Sequence, residues 1–320
     1  MQFHFDKALE ILAKTYLFVL LRLAVYTIAL AITILWFGGL FLLFQNWPFP
    51  GPPWLAWVVG GILYGSGARL VRQYVLYLVK SAHVSVITQL AVGGDLPPGA
   101  NQLSYGKDVV VKRFLQVSLL FGVDRLVNMV LKAFNRSVFK LIGFIPGIGI
   151  LRGFARRVLD YSAGYVDEAI LSYSLLHPEA SAWQSAREGL ILYVQNWKTI
   201  LGSGLILALI SYALVAVVAA PGALLSYLFA GAFFEAGIGV SIGLGLLVKF
   251  AVMDPFALTS VIVNFHAVTA GQRPDFALES KLEKVSKKYR QIKAHAGSWS
   301  PGGSTPPPPP VSPDQGPITI

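Results

Sequence analysis

Apolar positions run unbroken in two places along the chain and fall into stripes elsewhere. From Leu23 to Phe44 there is no charged residue, and at about 1.5 Å per residue such a helix covers the roughly 30 Å hydrocarbon core of a bilayer. Ile200 to Ala220 is equally free of charge, opens after Trp197 and Lys198 and ends at Pro221-Gly222. Both read as transmembrane helices, and each has a less clean successor. Residues 45–53 carry four prolines, which forbid a helix there. Trp47, Trp54 and Trp57 surround that loop as an interfacial belt. A second span starts at Trp54 and passes through Arg69 and Arg72, whose long side chains snorkel to the interface, before extending towards Lys80 and His83. Between Ala223 and Ala270 only Glu235, Lys249, Asp254 and His266 are ionisable. That stretch predicts a short outer segment and one long returning helix, kinked at Asp254-Pro255.

The middle of the chain has a different rhythm. Asp124, Asn128, Lys132, Arg136 and Lys140 stand four apart, one polar stripe on a helix otherwise built from Leu, Val, Phe and Met. Gly143 and the run Ile145-Pro146-Gly147-Ile148-Gly149 break it, and a second stripe follows with Arg152, Arg156, Asp160 and Glu168. The pattern predicts an amphipathic or re-entrant helical hairpin. Lys132, Arg136, Lys140, Arg152, Arg156 and Arg157 gather towards its tip, which keeps the tip at the cytoplasmic side or in the headgroup layer with anionic lipid as its ligand. The same residues also fit internal ion pairs and snorkelling.

After Arg273-Pro274 the composition turns soluble. Leu278, Leu282, Val285, Tyr289 and Ile292 recur at spacings of 4, 3, 4 and 3, a coiled-coil seam of two heptads, too short to stand alone. Residues 278–292 are therefore expected to meet a second copy or a protein partner. The last 27 residues hold eight prolines, including Pro306 to Pro310, and are expected to be a disordered tail able to serve as a partner's ligand.

Composition supports the membrane reading. Of 320 residues, 55% are hydrophobic and 13% charged, against about 25% charged in a soluble domain; mean hydropathy is +0.61. With no cysteine, disulfide scaffolds and thiolate metal sites are excluded. The net charge of +10 would suggest nucleic acid in a soluble chain, but no binding motif accompanies it, so no nucleic acid partner is expected. The outer loops 45–53 and 221–236 contain no Lys or Arg, which places both termini in the cytoplasm of a multi-pass inner-membrane protein.

Candidate chemistry is sparse. Asp167 and Glu168, with Asp160 nearby, offer carboxylates for a divalent metal or a proton relay, but Arg156 and Arg157 one turn before Asp160 favour ion pairing. The five histidines are dispersed, and no zinc, phosphate-loop or nucleophile-elbow motif occurs, so neither metal nor cofactor is expected. Glu235, Lys249, Asp254 and His266 form the candidate intramembrane polar site, because a charge at bilayer depth costs about 2.5 to 3.5 kcal/mol. Lys249 and Asp254 lie about 140° apart on an ideal helix and are not expected to pair unless the kink turns one towards the other. Gly237, Ser241 and Gly245, with Gly239 and Gly243 beside them, mark close helix packing, internal or between subunits.

These observations predict an all-α polytopic membrane protein with about four transmembrane helices in two pairs. Its parts are an interfacial helix (1–22), the first pair (23–80), the hairpin region (81–198), the second pair (199–272), a cytoplasmic amphipathic helix (273–293) and the tail (294–320). The expected function is non-enzymatic, an oligomeric scaffold or pore-type component. A small-solute or ion permease is the alternative, and a lipid-modifying enzyme the third.

Overall fold

The computed structural model describes residues 3–46, 52, 54–112, 114–142, 152–228 and 234–297; residues 70–75, 93, 112, 114–121, 139–142, 152–163 and 234–236 are described in backbone only. The protein is all-helical, 89% helix with no strand among the described residues. The helices are α1 (Phe5–Lys14), α2 (Tyr16–Gln45), α3 (Trp54–Thr88), α4 (Gln102–Lys112), α5 (Phe114–Ile142), α6 (Arg152–Leu176), α7 (Ala182–Gln195), α8 (Trp197–Leu228), α9 (Phe234–Val248), α10 (Asp254–Thr269), α11 (Glu279–Val285) and α12 (Lys287–Gly297). A π-helical turn, Lys249–Met253, joins α9 to α10. Among the described residues, three helical runs are long and apolar enough to cross a membrane: α2, α8 and Gly237–Thr269.

The long helices lead double lives. At the start of α2, Phe18 and Arg22 are buried, whereas Ile28, Leu35 and Leu42 are exposed. In α8 the residues from Ile200 to Ser211 contribute buried positions, and Val217, Leu224 and Leu228 are exposed. An apolar side chain left outside in this way calls for lipid around it. The other ends converge on one compact core. Its post is α10, in which Ala257, Leu258, Val261, Ile262 and Phe265 are all buried, as befits a helix apolar on every side. Around it pack α6, α8 and α1, with α7 beyond α6. The apolar face of α1, expected to lie on lipid, is instead spent against α10 through Ala8 and Ile11.

Each apolar pair has its own seam. Trp36 Nε1 donates to the Gly60 carbonyl at 3.1 Å, Thr33 and Tyr64 hydroxyls lie 2.5 Å apart, and Phe37 sits against Trp57 and Tyr64, which binds α2 to α3. Between α8 and α9 the small residues interlock: Gly222 faces Ser241, Gly237 faces Ser226, and Gly245 faces Val215. The strip Gly237, Ser241 and Gly245 is thus an internal interface. Gly239 faces open space and Gly243 only Leu30 of α2. This interlock also explains why α8 does not stop at Pro221 as expected. Helix α9 packs on both sides of the proline and holds the chain helical to Leu228.

The C-terminal seam differs most from expectation. Ser286 is extended, at φ −142° and ψ 119°, and splits the helix into α11 and α12. Leu282, Tyr289 and Ile292 are fully buried, against the chain's own α5 and α7 rather than a second coil. Two heptads nucleate poorly alone, and burying their stripe on the bundle supplies what a free helix lacks. Glu279 clasps the arrangement: Arg187 Nε (2.7 Å) and the Tyr289 hydroxyl (2.8 Å) donate to Oε1, and Lys293 Nζ pairs with Oε2 at 3.0 Å. Burial opposes its ionisation, but these three donors prevail and pull its pKa down to about 2.

Two outcomes follow from this packing. In Gly245→Ala the new Cβ would stand 2.8 Å from the Val215 carbonyl oxygen, so the substitution should cost about 1 to 3 kcal/mol by overpacking. Gly239→Ala should be neutral or slightly stabilising, with thermal melting in detergent as the measure. For Glu279 the folded pKa lies below the unfolded one, so its contribution is full above about pH 4.5 and lost as pH falls towards 2. Proteolysis between 279 and 297 should therefore rise in that acid window, and in Glu279→Gln already at neutral pH.

Candidate functional site

Where the apolar segments meet the compact core, the sequence places ionisable residues on six elements, and the fold brings them into one layer. On α5, Asp124 and Asn128 are one turn apart and share a face. They look onto Asp167 and Glu168 of α6. Asn128 Nδ2 donates to Asp167 Oδ2 at 2.5 Å, and the Glu168 amide donates to Asp167 Oδ1 at 3.0 Å. Lys80, near the end of α3, forms an ion pair with Glu168, whose side chain is 1% exposed. One carboxylate oxygen from each of Asp124, Asp167 and Glu168 lies within 4.8 Å of the other two. The hairpin helices carrying them lie outside the three spanning runs. Burial first, then Asp167 and Glu168, push Asp124 well above the usual carboxylate range. Burial likewise raises Asp167, although Lys80 and Asn128 oppose it.

An oxygen-only set suits a hard divalent cation. Here, however, the Lys80 ammonium and the Asn128 amide both direct donors into it, so the place of a cation is already taken. The sequence grouped Asp167 and Glu168 with Asp160 and with Arg156 and Arg157. In the fold the third acid is Asp124 and the countercharge is Lys80, while the side chains of Asp160, Arg156 and Arg157 lie outside the described residues.

One step along α6 the layer continues. The Tyr165 hydroxyl donates to Asp254 Oδ1 at 2.9 Å, and Lys249 Nζ donates to the same oxygen at 2.8 Å. Lys249 is 5% exposed and sits 4.5 Å from the centre of the Phe250 ring. The expectation that Lys249 and Asp254 do not meet is overturned. The π-turn makes residues i and i+5 neighbours, and the Asp254 amide donates to the Lys249 carbonyl in that register. Arg22 of α2, 8% exposed, lies near enough for its charge to act on Asp254 and Glu168.

His266 belongs elsewhere. Its Nε2 lies 2.7 Å from Ser172 Oγ, which lies 2.7 Å from Thr88 Oγ1. The Thr88 hydroxyl donates to the Val84 carbonyl, so Ser172 donates to Thr88 and His266 donates to Ser172. The dyad is therefore oriented as a structural tether from α10 through α6 to α3. A general base would need the opposite direction. On α5, Lys132 is half-buried and Arg136 exposed; the side chains of Lys140, Arg152 and Glu235 lie outside the described residues. Sequence reasoning missed Arg22 and Lys80 as members of the site. Arg22 had a signal, a lone cation near the start of an otherwise apolar helix, whereas Lys80 shares its helix with Arg69 and Arg72 and had none.

Removing one partner of such a pair strands the other. Lys80→Met should destabilise by about 3 kcal/mol, and adding Glu168→Met should recover most of the loss, because a well-packed apolar pair often replaces a buried ion pair. Melting of the two single variants and the double variant measures this. Compared with models of protein families, with curated proteins and with solved structures, the chain matches none.

Proposed function

We propose that this chain is a non-enzymatic, four-span inner-membrane scaffold or pore-type component. In this reading two helix pairs hold a compact helical domain against the cytoplasmic face, with both termini in the cytoplasm. The first half of α3 supplies the fourth span. Trp54, Val59, Ile62 and Leu63 are exposed and apolar, and the segment is sealed to α2 by aromatic contacts. The observation that carries the reading is that the ionic layer cross-links elements: Lys80 of α3 to Glu168 of α6, Asn128 of α5 to Asp167 of α6, and Tyr165 of α6 to Asp254 of α10. Charges arranged as fastenings between helices suit a body that holds its shape. The anionic lipid headgroups proposed for Lys132 and Arg136 fit their half-buried and exposed positions beside the domain. With the 278–292 seam covered, a homo-oligomer or partner is proposed to meet another surface or the Pro-rich tail.

A permease is the second reading, favoured by the π-turn and the buried charge at Lys249 and Asp254. Flux in proteoliposomes separates the two. For a scaffold, Lys249→Met and Asp254→Asn leave ion and small-solute flux unchanged, whereas a several-fold change with melting preserved would establish the permease. For topology, Asn46→Cys should react with an impermeant maleimide in intact cells. The exposed Ser280→Cys should react only after permeabilisation; Ser286, being buried, would report burial and not sidedness.

A further inference from the structure

Charges on α11 and α12 are sorted by sign. Residues 279–293 hold two acids, Glu279 and Glu283, and six cations, Lys281, Lys284, Lys287, Lys288, Arg290 and Lys293. Both acids are engaged within the fold. Glu279 is held by Arg187, Tyr289 and Lys293, and Glu283 Oε1 accepts from Lys293 Nζ at 2.6 Å. Because Leu282, Tyr289 and Ile292 point into the core, the opposite face carries Lys281, Lys284, Lys287 and Arg290, all exposed and each three residues from the next. Among the described residues no carboxylate pairs with any of these four. Like charges one turn apart repel, and nothing in the chain relieves them. The face is also preformed, since the buried seam and the Glu279 clasp fix both helices on α5 and α7, so a ligand has no helix to order.

Position narrows what supplies the counter-charge. Asn196 Nδ2 donates to Gln272 Oε1 at 2.8 Å, which holds the approach to α11 at the end of α10, and Asp254 to Thr269 is about 22 Å of helix away from the ionic layer. At the other end His295 stacks on Trp183 at 4.5 Å, past Leu176, which lies about 16 Å of helix beyond Tyr165. A lipid surface charge fades within about 8 Å at physiological salt, so the bilayer holding the chain is a weak counter-charge for this face. Single-stranded nucleic acid needs aromatic platforms between the cations, and here Tyr289 is buried and His295 is already stacked. An extended polypeptide fits better. Lys281 to Arg290 spans about 14 Å of helix, the length of about four residues of extended chain.

We propose that the outward face of α11 and α12 docks an extended acidic segment of a partner protein, whose carboxylates meet Lys281, Lys284, Lys287 and Arg290. The inference goes beyond the scaffold reading and does not rest on it, because the face is built the same way whether or not the spans conduct. Each exposed pair is weak and screened by salt, so the surface acts through the number of its charges and by steering the encounter.

Fluorescence anisotropy reads this with a labelled oligoglutamate of about ten residues, long enough to cover the four cations, titrated with the full-length protein in nanodiscs of uncharged phosphatidylcholine. At low ionic strength the wild type should bind, and added salt should release the peptide. Lys281→Gln, Lys284→Gln, Lys287→Gln and Arg290→Gln combined should weaken binding about tenfold, whereas Lys7→Gln, Lys14→Gln, Lys107→Gln and Lys198→Gln combined, exposed lysines elsewhere, should stay within about twofold of wild type. Melting checks both, and the pair Lys281→Gln with Lys284→Gln, which should fall between them, carries the test if the first set unfolds. A wild type that does not bind at low salt overturns the proposal, as do two four-site variants that weaken equally. Tighter binding to phosphatidylglycerol vesicles or to an RNA oligomer, lost in the same variants, would overturn it too and make the face a lipid or nucleic acid surface.

Discussion

The ionic layer where α2, α3, α5, α6, the π-turn and the start of α10 meet constrains everything around it. A charge taken out of water is costly unless matched in good geometry, and the chain carries seven ionisable side chains to that one level. Each match fixes two helices relative to each other. Lys80 sets the depth of α3 against α6, Tyr165 sets α6 against α10, and Lys249 sets the twist between α9 and α10. Away from the layer the helices are free to be simple: apolar and exposed on one side, apolar and enclosed on the other.

The π-turn shows how local backbone geometry serves this constraint. An α-helical continuation would leave Lys249 about 140° from Asp254, and both charges would need partners elsewhere. Winding five residues into a π-turn closes the pair, and Pro255, which has no amide hydrogen to give, follows just inside α10. The tether His266–Ser172–Thr88 then holds the far end of α10 to the same helix that anchors its start.

Much of this was legible from periodicity. Uncharged runs identified α2 and α8, the four-residue stripe and the Pro-Gly break identified α5 and α6, and the small residues of α9 announced close packing. What could not be read was which surface each face would meet. The heptad of 278–292 has the spacing of a coiled coil, yet spacing does not distinguish a partner's helix from the chain's own α7. Pro221 reads as a stop because its local penalty is visible while the compensating contact with α9 is not. Neither Arg22 nor Lys80 stood out in the sequence, because the acids that act with them lie far along the chain: Glu168 pairs with Lys80 across 88 residues.

The central proposal is that, beside the three runs long and apolar enough to span, the first half of α3 also lies in lipid, and that these segments end at one ionic layer. In this cysteine-free chain, nitroxides at Leu35, Val59, Val217 and Val240, all more than half exposed, report their surroundings through collision with oxygen or with a water-soluble nickel chelate. The account predicts high oxygen and low chelate accessibility at all four, and the reverse at the exposed Arg290. A label at Val59 that the chelate reaches as readily as at Arg290 would take α3 out of the bilayer and contradict the account.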